Sequence, residues 1–246
     1  MIDIHTHILP GADDGAPDLE TSLQLLKEAA ADGTDEIIVT PHCAPAYGFF
    51  NFDRDELDRR LEMLRKAAWE REIRIPIHPG MEVLYEGRRE MLYHAEDYFT
   101  LCGSRYLLME YFFDAEPRDF MEGISTAREC GYLPVIAHPE RYGCIRKHTH
   151  LAAWARREGA LFQINKGSLA GRHGKAALMS AVRLLERDES GFIESEAHSP
   201  VSGDSRLGGV YAYVRDTFGR RRAERLFAEN PRRIIEDRDI QGTVGA

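Results

Sequence analysis

A chain of 246 residues is long for one domain but suits an α/β barrel, and 43% hydrophobic with 30% charged residues is the balance of an ordinary folded protein. A net charge of −9 argues against nucleic acid as a partner, because gripping its phosphates needs a basic face. No basic stretch followed by an apolar one opens the chain and no run approaches the roughly 18 apolar residues of a membrane span, so a cytoplasmic protein without membrane insertion is expected.

The first strand is predicted over Asp3-Ile4-His5-Thr6-His7, where period-two geometry lets His5 and His7 present two imidazoles to one point. A Gly- and Asp-rich loop follows at 11–17. Asp18 caps a helix whose apolar face is Leu19, Leu23, Leu26 and Ala30, and Gly33 ends it. A β-branched run at 36–40 ends in Pro41-His42, then comes an aromatic loop over 43–52. Leu57, Leu61, Leu64 and Ala68 mark the buried face of a helix over 53–71. A strand over 74–78 bends at Gly80 and carries Glu82 near the end of an extended segment.

The segment 107–113 is almost wholly apolar, as befits a strand covered on both faces, yet it contains Glu110. A buried carboxylate there needs a partner, a proton or a metal. A helix over 117–130 precedes a strand over 132–137 that ends in His138-Pro139-Glu140-Arg141. A helix over 151–158 precedes a strand over 160–164 ending at Asn165. A helix over 174–188 leads to a last strand over 192–196, which runs into Ala197-His198. Helical segments over 210–218 and 221–229 and a short one from Asn230-Pro231 finish the chain.

Seven strand-like segments alternating with helices predict a parallel, barrel-like sheet, and nothing marks a second domain within 1–246. His5, His7, His42, Glu82, Glu110, His138, Asn165, Glu196 and His198 fall at or near the C-terminal ends of those segments, the face on which barrel active sites assemble. Nine candidates are too many for one ion, so two or three are expected. Imidazole and carboxylate donors suit Mn²⁺, Fe or Zn²⁺. Such centres activate water and clamp phosphoryl oxygens. His78, His94, His148, His150 and His173 lack this placement and are read as structural. Cys43, Cys102, Cys130 and Cys144 form no C-x-x-C pair, and none has Arg six residues on. They read as reduced structural thiols, with no cysteine-nucleophile phosphatase loop.

In order along the chain, Asp3-Ile4-His5-Thr6-His7, Asp13-Asp14-Gly15, Thr40-Pro41-His42, Gly80-Met81-Glu82, Met109-Glu110, His138-Pro139-Glu140-Arg141, Gln163-Ile164-Asn165 with Gly167-Ser168-Leu169, and Ala197-His198 resemble the PHP (polymerase and histidinol phosphatase) superfamily. Within it the likeness is greatest to the manganese-dependent protein-tyrosine phosphatases of bacterial capsule and exopolysaccharide operons. The resemblance implies a distorted (β/α)₇ barrel and a trinuclear Mn²⁺ site. His5, His7, Glu82 and the acid at 196 would hold one ion, Glu82, Glu110 and His138 a second, and Asp14, His42 and His198 a third. Arg141 matches a phosphate-binding arginine, and Arg206 is the candidate for a second, at longer spacing. His42 or His198 would protonate the leaving group.

The implied substrate is the phosphotyrosine tail of a membrane-bound bacterial tyrosine kinase. The aromatics Tyr47, Phe49, Phe50 and Phe52 serve either as a wall for the phosphotyrosine ring or as packing. Such sites usually close with Asp-x-His, whereas this chain has Glu196-Ala197-His198, which carries the carboxylate about 1.5 Å farther. Glu194 is the alternative ligand. Two other functions stay open: a small-molecule phosphoesterase acting on a compound such as histidinol phosphate, and a non-catalytic metal-binding regulator.

Overall fold

The computed structural model describes residues 1–87, 92, 99–200 and 205–240, and His94 lies outside them. In chain order the elements are β1 (Ile2–Thr6), α1 (Leu19–Ala31), β2 (Glu36–Val39), β3 (His42–Cys43), α2 (Arg54–Glu70), β4 (Ile77–Pro79), β5 (Glu82–Tyr85), β6 (Tyr106–Tyr111), α3 (Pro117–Glu129), β7 (Leu133–Ala137), α4 (Gly143–Lys147), α5 (His150–Arg157), β8 (Leu161–Asn165), α6 (Lys166–Leu169), α7 (Gly174–Glu186), β9 (Phe192–Glu194), α8 (Gly208–Phe218), α9 (Arg220–Glu224), a π-helical turn (Arg225–Glu229) and α10 (Asn230–Ile235).

Local chemistry accounts for the helix starts. The carboxylate of Asp18 accepts the Thr21 N–H at 2.8 Å, and that of Asp53 accepts the Glu56 N–H at 3.0 Å, so each satisfies an orphan donor of the first turn. On α2 the expected stripe Leu57, Leu61, Leu64 and Ala68 is buried, each leucine worth roughly 2 kcal/mol. On α1 the stripe is rotated. Ser22, Leu23, Leu25, Leu26 and Ala29 are buried while Ala30 is exposed, because the helix sits with the 22/25/29 edge against the sheet.

All strand pairs are parallel. They form a three-stranded sheet, β1-β2-β4, and a six-stranded sheet, β3-β5-β6-β7-β8-β9. The expected strand over 74–78 is found shifted, as β4, and the extended segment beyond Gly80 that carries Glu82 is a separate strand, β5, in the other sheet. Gly80 makes the crossing. A Cβ there would lie 2.7 Å from Cγ2 of Ile38, so only glycine permits the close approach. The same transfer occurs at Thr40-Pro41, where β2 gives way to β3. Thr40 N–H bonds to Thr6 O at 2.8 Å, while Pro41 O accepts from Glu82 N–H at 3.1 Å.

The two sheets share a core. Ile2, Ile4 and Ile38 from one pack with Leu108, Val135, Leu161 and Phe192 from the other, and Ile234 of α10 joins them. On the remaining side, a parallel bridge joins Thr6 to Ala197, and His7 N–H donates to Ala197 O at 3.0 Å. β9 stops at Glu194, because Glu196 turns the backbone into the left-handed region at φ +51°. Among the described residues no helix is long and apolar enough to cross a membrane.

Candidate metal centre

His5 and His7 leave β1 beside a register irregularity and bring their Nε2 atoms to 3.0 Å from each other. The opposite ring nitrogens are spoken for. Nδ1 of His5 donates to Oε1 of Gln163 at 3.0 Å, and Nδ1 of His7 donates to Oδ2 of Asp13 at 2.7 Å, which leaves both Nε2 atoms as lone-pair donors. Asp13 is itself fixed. Its Oδ1 accepts the Gly15 N–H at 3.0 Å, and its Oδ2 accepts the His42 N–H at 2.9 Å.

Gly15 is the tightest point of this loop, since a Cβ there would lie 2.0 Å from His7 O. Gly15→Ala therefore has to push the loop off His7. The expected cost is about 2 kcal/mol, read as a Tm lower by roughly 4–8 °C together with weaker metal retention.

Glu82, wholly buried at the start of β5, is the centre of the cluster. Its Oε2 has His5 Nε2 at 3.1 Å, His42 Nδ1 at 3.1 Å and His7 Nε2 at 3.3 Å, and its Oε1 has His138 Nε2 at 3.2 Å. Glu110, the acid inside the apolar strand β6, stands 3.3 Å from His42 Nδ1 and 3.8 Å from His138 Nε2. Three ligand groups result: His5, His7 and Glu82; His42, Glu82 and Glu110; and His7, Asp14, His42 and His198. Oε2 of Glu82, Oε1 of Glu110 and Nδ1 of His42 are buried without hydrogen-bond partners. Imidazole nitrogens and carboxylate oxygens that converge this closely are what a divalent cation satisfies, so this donor set fits the metals expected from the sequence.

Asp14 stands at the mouth, its Oδ1 3.6 Å from His42 Nε2 and 3.7 Å from His198 Nε2, and Nδ1 of His198 donates to Glu196 O at 2.8 Å. Glu196 is placed differently from the first-ion group to which the resemblance assigns it. Its carboxylate pairs with Nη1 of Arg141 at 3.1 Å, is hydrogen-bonded by Nδ2 of Asn165, and lies 3.7 Å from His138 Nε2. It joins none of the three groups found among the described residues. Nor does Glu194, which is fully buried with neither oxygen hydrogen-bonded.

Asp14, His42, Glu110, His138, Glu196 and His198 line a cavity of about 940 Å³, with Arg141, Tyr47, Phe49 and Phe113 on its walls. The Arg141 guanidinium lies 4.2 Å from the centroid of the Phe113 ring, and Phe49 stacks on His42 at 5.4 Å.

A family model described as capsular polysaccharide synthesis, CpsB/CapC, matches residues 1–236. The chain belongs to that family. It is 35% identical to the tyrosine-protein phosphatase YwqE of Bacillus subtilis (strain 168) over 81% of this chain and 78% of that protein. Its identity to the tyrosine-protein phosphatase CpsB of Streptococcus pneumoniae is 30%, over 98% of this chain and 100% of that protein. It also matches a solved structure from work on YwqE and CpsB, there described as unique metal-dependent tyrosine phosphatases. The TM-score is 0.89 and the identity 31%, over 100% of this chain and 99% of that one.

In this CpsB/CapC chain the electrostatics follow the packing. Burial alone would raise Glu82, but the His5 and His42 charges and hydrogen bonds from His138 and His5 hold it well below the usual carboxylate range. Burial also opposes ionisation of Glu196, and His138, Arg141 and His5 overcome it. Glu194 has no such help. Burial, then Glu196 and Asp3, push its carboxyl well up, so this rival to Glu196 favours the neutral form, a poor metal ligand.

Arg206 is not brought to the cluster: its side chain is 58% exposed, its Nη2 lies 3.6 Å from Oε2 of Glu28, and it lines a separate cavity. His173, read as structural, lines the metal cavity. Its Nε2 would be 2.9 Å from a Cβ on Gly167, so that glycine makes room for the ring. Burial and then the Arg141 guanidinium push the His173 imidazole pKa down. Asp13 and Gln163 are not among the site residues expected from the sequence, although each lies in a quoted motif, and Asn165, noted at a strand end, now has a partner in Glu196. The usable signal is that a ligating imidazole needs a partner for its second nitrogen.

Proposed function

We propose that this chain is a manganese-dependent protein-tyrosine phosphatase of capsule or exopolysaccharide regulation. The observation that carries the reading is the set of three ligand groups, two of them sharing the buried Glu82, at the base of a cavity that also holds Arg141. The named activity of the similar YwqE and CpsB proteins supports it. His5, His7, Glu82 and Glu196 would hold one ion, Glu82, Glu110 and His138 a second, and Asp14, His42 and His198 a third. Mn²⁺ is the first choice, with Fe or Zn²⁺ compatible with the same donors. When bound, such ions activate water near neutral pH and neutralise phosphoryl oxygens.

The protein's own groups do the rest. Arg141 offers its planar fork to the phosphoryl oxygens, held in place by the Phe113 face on one side and Glu196 on the other. Phe49, Tyr47 and Phe113 give the cavity an aromatic wall for the phenyl ring. A phenolate leaves with a pKa of about 10 and needs little general-acid help, which His42 or His198 would supply.

The proposed substrate is the phosphotyrosine tail of a membrane-bound bacterial tyrosine kinase, met in the cytoplasm, where the four free thiols stay reduced. The proposal takes residues 1–246 as one domain and the two sheets as a distorted (β/α)₇ barrel. The shared core and the Thr6–Ala197 bridge support the barrel.

The test is chelation, dialysis and add-back. Chelated protein is expected to release no phosphate from a phosphotyrosine peptide, and Mn²⁺ to restore turnover, with kcat/KM at least about tenfold above that for histidinol phosphate. A reversed preference would make the protein a small-molecule phosphoesterase. Bound metal and bound peptide with no phosphate released would make it a regulator.

A further inference from the structure

A second cavity, of about 510 Å³, opens beside the metal cavity and shares Lys166, Gly167 and Arg172 with it. Leu169, Ala170 and Val210 give it an apolar lining, and Tyr213, 41% exposed, stands with Arg206 on its wall. Among the described residues its lining holds one acid, Asp32, which is already engaged, because the Gly208 N–H at the start of α8 donates to its Oδ2 at 2.5 Å. Arg206 contacts Glu28 only at 3.6 Å, beyond hydrogen-bond distance, and a guanidinium carries five N–H donors. Lys166 Nζ donates to the Arg206 carbonyl at 2.9 Å, tying this arginine's backbone to the wall between the two cavities.

We propose that the second cavity is a subsite for the substrate polypeptide, taking an acidic side chain close in sequence to the phosphotyrosine. Arg206 is its cation, and Val210 and Tyr213 cover the aliphatic stem. Continuity fixes the occupant's position: in an extended peptide, side chains two residues apart point the same way at a spacing of roughly 7 Å, so a neighbour of the phosphotyrosine reaches across a shared wall. Charge fixes its sign, since among the described residues the lining places Arg206, Arg172 and Lys166 around one acid already committed to the α8 N-terminus, with Glu28 3.6 Å from Arg206. The inference rests on reading the metal centre as a phosphotyrosine site.

The experiment compares kcat/KM on a phosphotyrosine peptide with Glu at the flanking positions, the same peptide with Ala there, one with Lys there, and p-nitrophenyl phosphate, which has no peptide. Wild type is expected to prefer the Glu peptide to the Ala peptide by about fivefold, the scale of an accessible ion pair. Arg206→Ala removes the preference, and Arg206→Glu transfers it to the Lys peptide. Tyr213→Ala lowers the peptides severalfold and leaves p-nitrophenyl phosphate unchanged. Titration of the Glu and Ala peptides into metal-free protein, where no turnover intervenes, is expected to show the same dependence on Arg206 in Kd.

No preference in wild type, or an equal loss on all substrates in Arg206→Ala, overturns the subsite. The second result would return Arg206 to the phosphoryl group. Wild-type protein that cleaves none of the substrates overturns the phosphatase reading itself.

Discussion

Glu82→Gln is expected to cut kcat by roughly 10²–10³ and to strip the protein of most of its metal. The side chain keeps its shape, so the change isolates the charge. In the native site one carboxylate faces four imidazoles, with Oε2 within 3.3 Å of nitrogens from His5, His7 and His42 and Oε1 3.2 Å from His138. It is wholly buried, so no water replaces what it provides. Uncoupling a buried charge network costs about 3–5 kcal/mol, and each 1.4 kcal/mol is a factor of ten in rate, which sets the size of the effect. The checks are Mn per chain by elemental analysis and kcat at saturating Mn²⁺, with Tm of the metal-free proteins to show that both fold. Full metal content with more than a tenth of the activity would remove Glu82 from the centre.

The same residue shows what a sequence yields and what it withholds. Alternation of strands and helices follows from periodicity, and so does the placing of His5, His7, Glu110 and His138 near strand ends. These features depend on neighbours a few residues apart. The division into two sheets falls at Gly80 and Thr40-Pro41, and at Gly80 the reason is a clash with Ile38 that only the fold reveals. Helix α1 illustrates a smaller miss, since Ala30 and Ala29 differ by 100° around the helix and packing decides which is buried. Gln163 meets His5 across 158 residues and Asp13 accepts the His42 N–H across 29, contacts that no spacing rule encodes, and only the fold brings His173 to the cavity wall. Arg206 is matched by order along the chain, and order alone does not say which cavity a side chain lines.

Glu196→Ala is expected to lower bound Mn²⁺ by about one ion per chain and kcat/KM by roughly 10²-fold. Two roles compete for this carboxylate, and metal content separates them. As a ligand it would complete the group of His5, His7 and Glu82; as found, it holds Arg141 at 3.1 Å, accepts from Asn165 and approaches His138 at 3.7 Å. The backbone bears on the choice of residue. At φ +51° the position is one that Asp adopts more readily than Glu, so Glu196→Asp relieves the main chain while withdrawing the carboxylate by about 1.5 Å from Arg141. That variant should keep its metal and lose no more than about tenfold in kcat/KM, most of it in KM through the loosened arginine. Should Glu196→Ala retain all its Mn²⁺ and lose only in KM, the residue belongs to Arg141 alone, and the first ion is held by His5, His7 and Glu82 without it.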